Sequence, residues 1–228
     1  MSRNYTVEGG SGYHDDDPHR LFLEKFETLF EVAREATTRA YSYRKKPVRV
    51  GTAILSVVDG TTIWGITDGY NTKRDSHQKI CGEKKGLRKA SLGGYTHAIG
   101  MVVVSSTDTD EIEGINGVRT PTLMPCSVCQ GDFRADPIAR LDMIVVTAGL
   151  DHDVVQVNTA SRLARITADG DTELLVHEQT LSGLSFPRLV PVYDSLKKDN
   201  KFFPRDKQLT PSELVTATIL SHRTTIAQ

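Results

Sequence analysis

The sequence reads as an α/β protein, on three observations. Apolar residues recur at helical spacing from about Leu21 to Ala40, at Phe22, Phe26, Leu29, Phe30, Ala33 and Ala36. Val48 to Val58 and Thr61 to Thr67 flank Asp59-Gly60, the pattern of two strands joined by a hairpin turn. Ala98 to Ser105 is almost wholly apolar, as expected of a central strand covered on both faces. Amphipathic helices and a strand buried on both sides belong together in a layered sheet protein.

Composition narrows the class. A chain of 228 residues supports one good core with additions. Its 38% hydrophobic and 25% charged residues are ordinary for a globular protein. A net charge of −1 provides no global basic field and disfavours a nucleic-acid partner. No apolar run approaches ~18 residues, so no membrane span is expected. The first residues lack an apolar signal core, which makes the cytoplasm the expected location. Three cysteines are too few, and odd in number, for a disulfide framework. A reducing compartment keeps them available as thiolates.

Taken in order, residues 1 to 19 read as a flexible tail in which His14 to His19 could at most bind metal weakly. Asp17-Pro18 is a helix start. The helix from Leu21 to Ala40 buries one face on a sheet. Arg44-Lys45-Lys46 is either a solvated loop or a phosphate contact. After the hairpin, Asp68 to Lys79 leads into Cys81, and Gly86 to Ala90 continues at helical spacing. That places Cys81 near a helix N-terminus, where the dipole and free N–H groups favour a thiolate. Gly93-Gly94 ends this helix. Pro125 opens a second helix carrying Cys126 and Cys129 on one face. Met143 to Ala148 is a strand and Asp151 to Gln156 a loop or short element. Ala164 to Ala168 and Thr172 to Val176 read as a further pair of strands or a strand and turn. Pro191, the lysines at 197, 198 and 201, and Pro204-Arg205 suggest an extended arm. A last helix starts at Thr210-Pro211, with Glu213 completing a capping box. No internal repeat is present.

The cysteines carry the chemistry. Zinc accepts thiolate ligands, and a catalytic zinc keeps three protein ligands and one open position. Cys81, Cys126 and Cys129 fill that set with none left over. Glu83, two residues beyond Cys81, is placed to move protons, as in zinc deaminases whose glutamate is not a ligand. The competing reading is a closed structural site, with His77 or His97 as fourth ligand.

Cys81-Gly82-Glu83 followed by Pro125-Cys126-x-x-Cys129 resembles the cytidine deaminase family, whose motifs are Cys/His-Ala-Glu and Pro-Cys-x-x-Cys. The run to Lys89-Ala90 is similar to the family's Cys-Ala-Glu-Arg-x-Ala-Ile-x-Lys-Ala. Val50-Gly51-Thr52-Ala53-Ile54-Leu55 is similar to its Val-Gly-Ala-Ala-Leu-Leu, and Gly69-Tyr70-Asn71 to its Gly-x-Asn. The resemblance covers roughly residues 28 to 180. It implies a three-layer α/β/α sandwich with a mixed sheet of about five strands. The implied division is a tail (1–19), a catalytic domain (20–184) and a C-terminal arm and helix (185–228). It also implies one Zn2+ per chain, hydrolytic deamination of a cytosine-type nucleoside or nucleotide with Glu83 as acid and base, and a homodimer or homotetramer.

Three departures bear on substrate and metal. Asn71 matches the family's sugar contact, but Lys73 stands where a glutamate is usual, and a cation there suits an anionic group. Val48 takes the place of the ring-stacking phenylalanine. Gln130 replaces the arginine that offsets the thiolate charge, a role open to Lys84, Arg88 or Arg134. The alternatives that remain are a modified nucleoside or antibiotic intermediate, a base in nucleic acid, and a zinc-stabilised binding protein without catalysis.

Overall fold

A computed structural model describes residues 17–42, 48–73, 79–106, 122–150, 155–169 and 189–221. The first helical stretch is two helices, α1 (Pro18–Glu24) and α2 (Phe26–Thr38), hinged at Lys25. Asp17 caps α1 by accepting from the Arg20 N–H at 3.2 Å, with proline at the first helical position. The break lets the two segments follow different partners: α1 meets the strand His97–Ser105 and the helix Leu189–Phe202, and α2 lies on the strand Val50–Val57.

Strands β1 (Val50–Val57) and β2 (Trp64–Tyr70) are antiparallel. The link between them runs from Val58 to Ile63, so the return strand begins later than the hairpin pattern predicts. Thr61 holds this loop by donating to the Val58 carbonyl at 2.7 Å, and Gly60 takes φ +65°. A two-residue ribbon, β3 (Thr72–Lys73) with β4 (Lys79–Ile80), leads to helix α3 (Gly82–Leu92). That helix ends as the glycine pair predicts: Gly94 has φ +84°, and the N–H groups of Gly94 and Tyr95 return to the carbonyls of Ser91 and Ala90.

Strand β5 (His97–Ser105) pairs antiparallel with β1 and parallel with β6 (Ala139–Gly149), reached through α4 (Ser127–Ala135). A parallel pair needs such a crossover. Strand β7 (Val155–Thr159) returns antiparallel to β6, giving a five-stranded mixed sheet in the order β2-β1-β5-β6-β7. Helix α5 (Ala160–Asp169) follows, then α6 (Leu189–Phe202), a short 3-10 turn (Arg205–Lys207) and α7 (Pro211–Ser221).

The sheet separates two cores. Val102, Val104, Ile144 and Val146 face α1, α2, α6 and α7, while Met101, Val103, Met143 and Val145 face α3, α4 and α5. This is a three-layer α/β/α sandwich, and burial on both faces explains why the central strands are apolar throughout. Gly51 lets α2 approach: a Cβ there would lie 2.2 Å from the Ala33 carbonyl oxygen.

Two local expectations are corrected. Residues 164–168 are helix, not strand: Ala160, Leu163 and Ala164 share a buried face at helical spacing, and Thr159 Oγ1 accepts from the Arg162 N–H at 3.2 Å. Residues from Leu189 to Phe202 are helix, not an extended arm. Pro191 falls in the first turn, where a missing N–H costs nothing. This helix is fastened to the start of α1, because Tyr193 donates to Asp17 at 3.1 Å and Lys197 pairs with the same carboxylate. The capping box of α7 forms as expected, with the Thr210 N–H donating to Glu213 at 2.7 Å and the Glu213 N–H to Thr210 Oγ1 at 3.3 Å. The residues around 172–176, 177–184, Arg44-Lys45-Lys46, His77 and most of the tail lie outside the described residues.

Candidate metal centre

Helices α3 and α4 lie on the same face of the sheet and point their N-termini at one place. Cys81 is the N-cap of α3 and Cys126 the N-cap of α4, both with extended backbone (φ −70°, ψ 151° and φ −66°, ψ 160°). Cys129 sits in the first turn of α4 and is 1% exposed. The positive ends of two helices thus face the three sulfurs.

The sulfur atoms of Cys81 and Cys126 are 3.6 Å apart, those of Cys126 and Cys129 are 3.5 Å apart, and all three lie within 4.8 Å of one another. A tetrahedral zinc with ~2.3 Å arms sets its sulfurs about 3.8 Å apart. The donor set therefore fits a metal of that kind. Among the described residues it is the only group of three or more such side chains with ligand spacing.

Two of the three thiols are held above their ordinary pKa. The hydrogen bond with Cys126 pushes the Cys81 thiol from the ordinary 9.0 up to about 12, opposed by the contact with Cys129 and helped by burial and the Glu83 carboxylate. Cys129 is pushed up further, first by its hydrogen bond with Cys126, then by that with Cys81 and by burial. Thiols crowded in this way are stabilised by a divalent ion that replaces their protons.

Glu83, the second residue of α3, is 4% exposed. It lines a cleft of about 200 Å³ with Cys129, Leu87, Asp132 and Phe133. That volume is below the ~300–1,000 Å³ of a pocket that encloses a small molecule. Lys84 is tied to Asp132 at 3.1 Å and joins α3 to α4. Arg88 and Arg134 are exposed on the same two helices.

Asn71 follows β2, is 5% exposed, and accepts from the Gly82 N–H at 2.9 Å. It thus satisfies the first free N–H of the helix that carries Cys81. Lys73 is exposed on β3 with its ammonium 5.8 Å from the Tyr41 ring. Val48 is buried in the core beneath α3, α4 and α5. His97 is paired with Asp59 at 2.5 Å and does not join the cysteines.

Two further buried polar residues support the site and its scaffold. Gln130 is 0% exposed and donates to the Pro125 carbonyl at 2.7 Å, so it braces the turn between the two helical cysteines. Asp68 is buried between Arg39 and Lys89, which ties β2 to a helix on each face of the sheet. A polar residue inside an apolar strand is the signal that marks Asp68 in the sequence.

No protein-family model matches the chain, and no curated protein matches it. Solved structures do. A cytidine deaminase from Burkholderia pseudomallei is 24% identical over 60% of this chain and 94% of its own, with a TM-score of 0.45. One from Mycobacterium leprae is 19% identical over 60% of this chain and 95% of its own, with a TM-score of 0.39. One from Mycobacterium tuberculosis is 19% identical over 53% of this chain and 82% of its own, with a TM-score of 0.36.

Proposed function

We propose that the chain is a zinc-dependent hydrolytic deaminase that converts a cytosine-type nucleoside or nucleotide to its uracil form and releases ammonia. One observation carries this reading: three sulfurs from two helix N-termini meet at metal-ligand spacing beside the buried carboxylate of Glu83. Cys81, Cys126 and Cys129 hold one Zn2+ per chain. Three protein ligands is the count of a catalytic zinc. Bound zinc supplies Lewis acidity that brings the pKa of water to about 7.

Glu83 does the proton work. It accepts a proton from the attacking water and passes it to the ring nitrogen, then takes the remaining proton from the C4 hydroxyl and delivers it to the departing amine. A carboxylate suits this because it reverses role within one turnover. The water oxygen bonds to C4 of the ring and the C4–amine bond breaks. Asn71 has its carbonyl oxygen engaged by Gly82, which leaves its NH2 for a sugar hydroxyl. Val48 stands where the family's ring-stacking phenylalanine does, and Lys73 favours an anionic substituent such as a phosphate.

Residues 20–184 contain all of these groups, and α6 and α7 of the C-terminal segment pack on the opposite face of the sheet. This reading carries with it a homodimer or homotetramer as the assembly. A reducing compartment such as the cytoplasm suits the three thiols.

Metal analysis and an ammonia-release screen test the proposal. The screen covers cytidine, cytidine monophosphate, modified cytosine nucleosides, purine nucleosides and single-stranded oligonucleotides. We expect about one zinc per chain and turnover of a cytosine compound. Glu83→Gln should keep the zinc and lose roughly 10²–10⁴ in kcat. Turnover undiminished in that variant removes Glu83 from its role.

A further inference from the structure

Strand β6 is apolar through Ile144-Val145-Val146 and then places a hydroxyl, Thr147, at full burial. Its Oγ1 lies 2.6 Å from Thr122 Oγ1, and Thr122 donates to Gln156 Oε1 on β7 at 2.7 Å. Thr122 is 1% exposed and Gln156 3%. A hydroxyl has one proton to give. Since Thr122 gives its proton to Gln156, Thr147 donates to Thr122, and Met124 Sδ at 3.7 Å from Thr147 is a packing neighbour.

The position of this tripod is informative. Thr122 stands four residues before Cys126. Two sheet side chains therefore pin the segment that enters the cysteine turn. From the other direction Gln130, adjacent to Cys129, holds the Pro125 carbonyl. The stretch 122–130 is fixed at both ends by buried hydrogen bonds, with Cys126 between them. Valine or leucine would close this end of the sheet equally well. Satisfied buried polar groups instead specify one arrangement.

We infer that Thr122, Thr147, Gln156 and Gln130 are positioning residues for the metal: they hold Cys126 and Cys129 at the spacing the ion requires. The inference rests on the zinc reading above. Outer groups that orient metal ligands commonly contribute 10–100-fold to affinity.

The test is a cobalt titration of the metal-stripped full chain. It follows thiolate-to-cobalt charge-transfer absorption and obtains Kd by competition with a chelator, with thermal unfolding of the apo chain in parallel. Thr147→Val and Thr122→Val should bind cobalt 10–100-fold more weakly and show altered band positions. Thr147→Ser, which keeps the hydroxyl, should bind like wild type. Gln130→Met reads the opposite tie and should weaken binding in the same range. Val146→Ala faces the other core; it should lower the thermal midpoint and leave Kd unchanged. Wild-type affinity in both threonine-to-valine variants overturns the inference, as does an equal loss in Val146→Ala. A wild-type chain with no charge-transfer band refutes the zinc reading itself, which distinguishes the two failures.

Discussion

Gly69 is where β2 passes directly beneath α3, and Gly69→Ala perturbs the site through that close approach. An added Cβ would lie 2.0 Å from the Gly82 carbonyl oxygen, 2.5 Å from Thr52 Oγ1 and 2.8 Å from the Gly86 nitrogen. Ordinary contact begins at 3.4 Å, so the first turn of α3 must lift by 3.4 − 2.0 = 1.4 Å. Two of the three obstructing atoms are backbone and cannot rotate away. Overpacking costs about 1–3 kcal/mol, and this case belongs at the upper end. At ~2–4 °C per kcal/mol for a chain of this size, the thermal midpoint should fall roughly 6–12 °C. Gly82 adjoins both Cys81 and Glu83, so the same displacement changes the position of the Cys81 sulfur relative to Cys126. A metal site tolerates about 0.2 Å, and affinity should drop more than about tenfold, in the range seen when ligand support is lost. Calorimetry and chelator competition read the two effects. Gly131→Ala is the control. It meets no heavy atom within 4 Å and lies inside α4, where alanine is favoured over glycine by about 0.5–1 kcal/mol. If Gly69→Ala unfolds at the wild-type temperature and binds metal equally well, the close approach of α3 does not set the site.

Two further predictions follow from charge. In the metal-free chain, the hydrogen bonds with Cys126, together with burial, raise the proton affinity of Cys81 and Cys129 above that of an unfolded thiol. Between about pH 8.5 and the raised folded value the native state then holds more protons than the unfolded state. Stability should therefore be complete below the ordinary thiol range and fall as pH rises through it. Urea midpoints of the apo chain should decrease from pH 7.5 to 9.5, and those of the metal-loaded chain should not; equal slopes would contradict the protonated cluster. Asp68→Asn should destabilise by roughly 2–4 kcal/mol in urea, somewhat below the ~3–5 of a fully buried pair. Arg39 and Lys89 each keep about 30% exposure and regain water. A loss under about 1 kcal/mol would class the cluster with ordinary surface pairs.

Much of the fold was legible because it is local. The period of Phe22 to Ala36 marks a helix, the apolar run at Ala98 marks a buried strand, and Thr210 with Glu213 marks a cap. Elsewhere the local cue is ambiguous. Ala164 to Ala168 is too short an apolar run to separate strand from helix. Pro191 looks like a breaker until its place in the first turn of α6 is known. The break at Lys25 carries no sequence signal at all, since it reflects what α1 and α2 pack against.

The motif residues were likewise readable: Cys81, Glu83, Cys126 and Cys129 announce their chemistry by type and spacing. The spacing of the motifs leaves their meeting undetermined. Cys81 and Cys126 are 45 positions apart, and only the crossover from β5 to β6 through α4 brings the second helix beside the first. The supporting groups were hidden for the same reason. Thr122, Thr147 and Gln156 are unremarkable residues in separate segments, and Asp68 meets Arg39 and Lys89 from opposite layers. Side-chain chemistry is a property of each residue and is written in the sequence. Distances among residues remote along the chain depend on how sheet and helices pack, and those were decided by the tertiary structure alone.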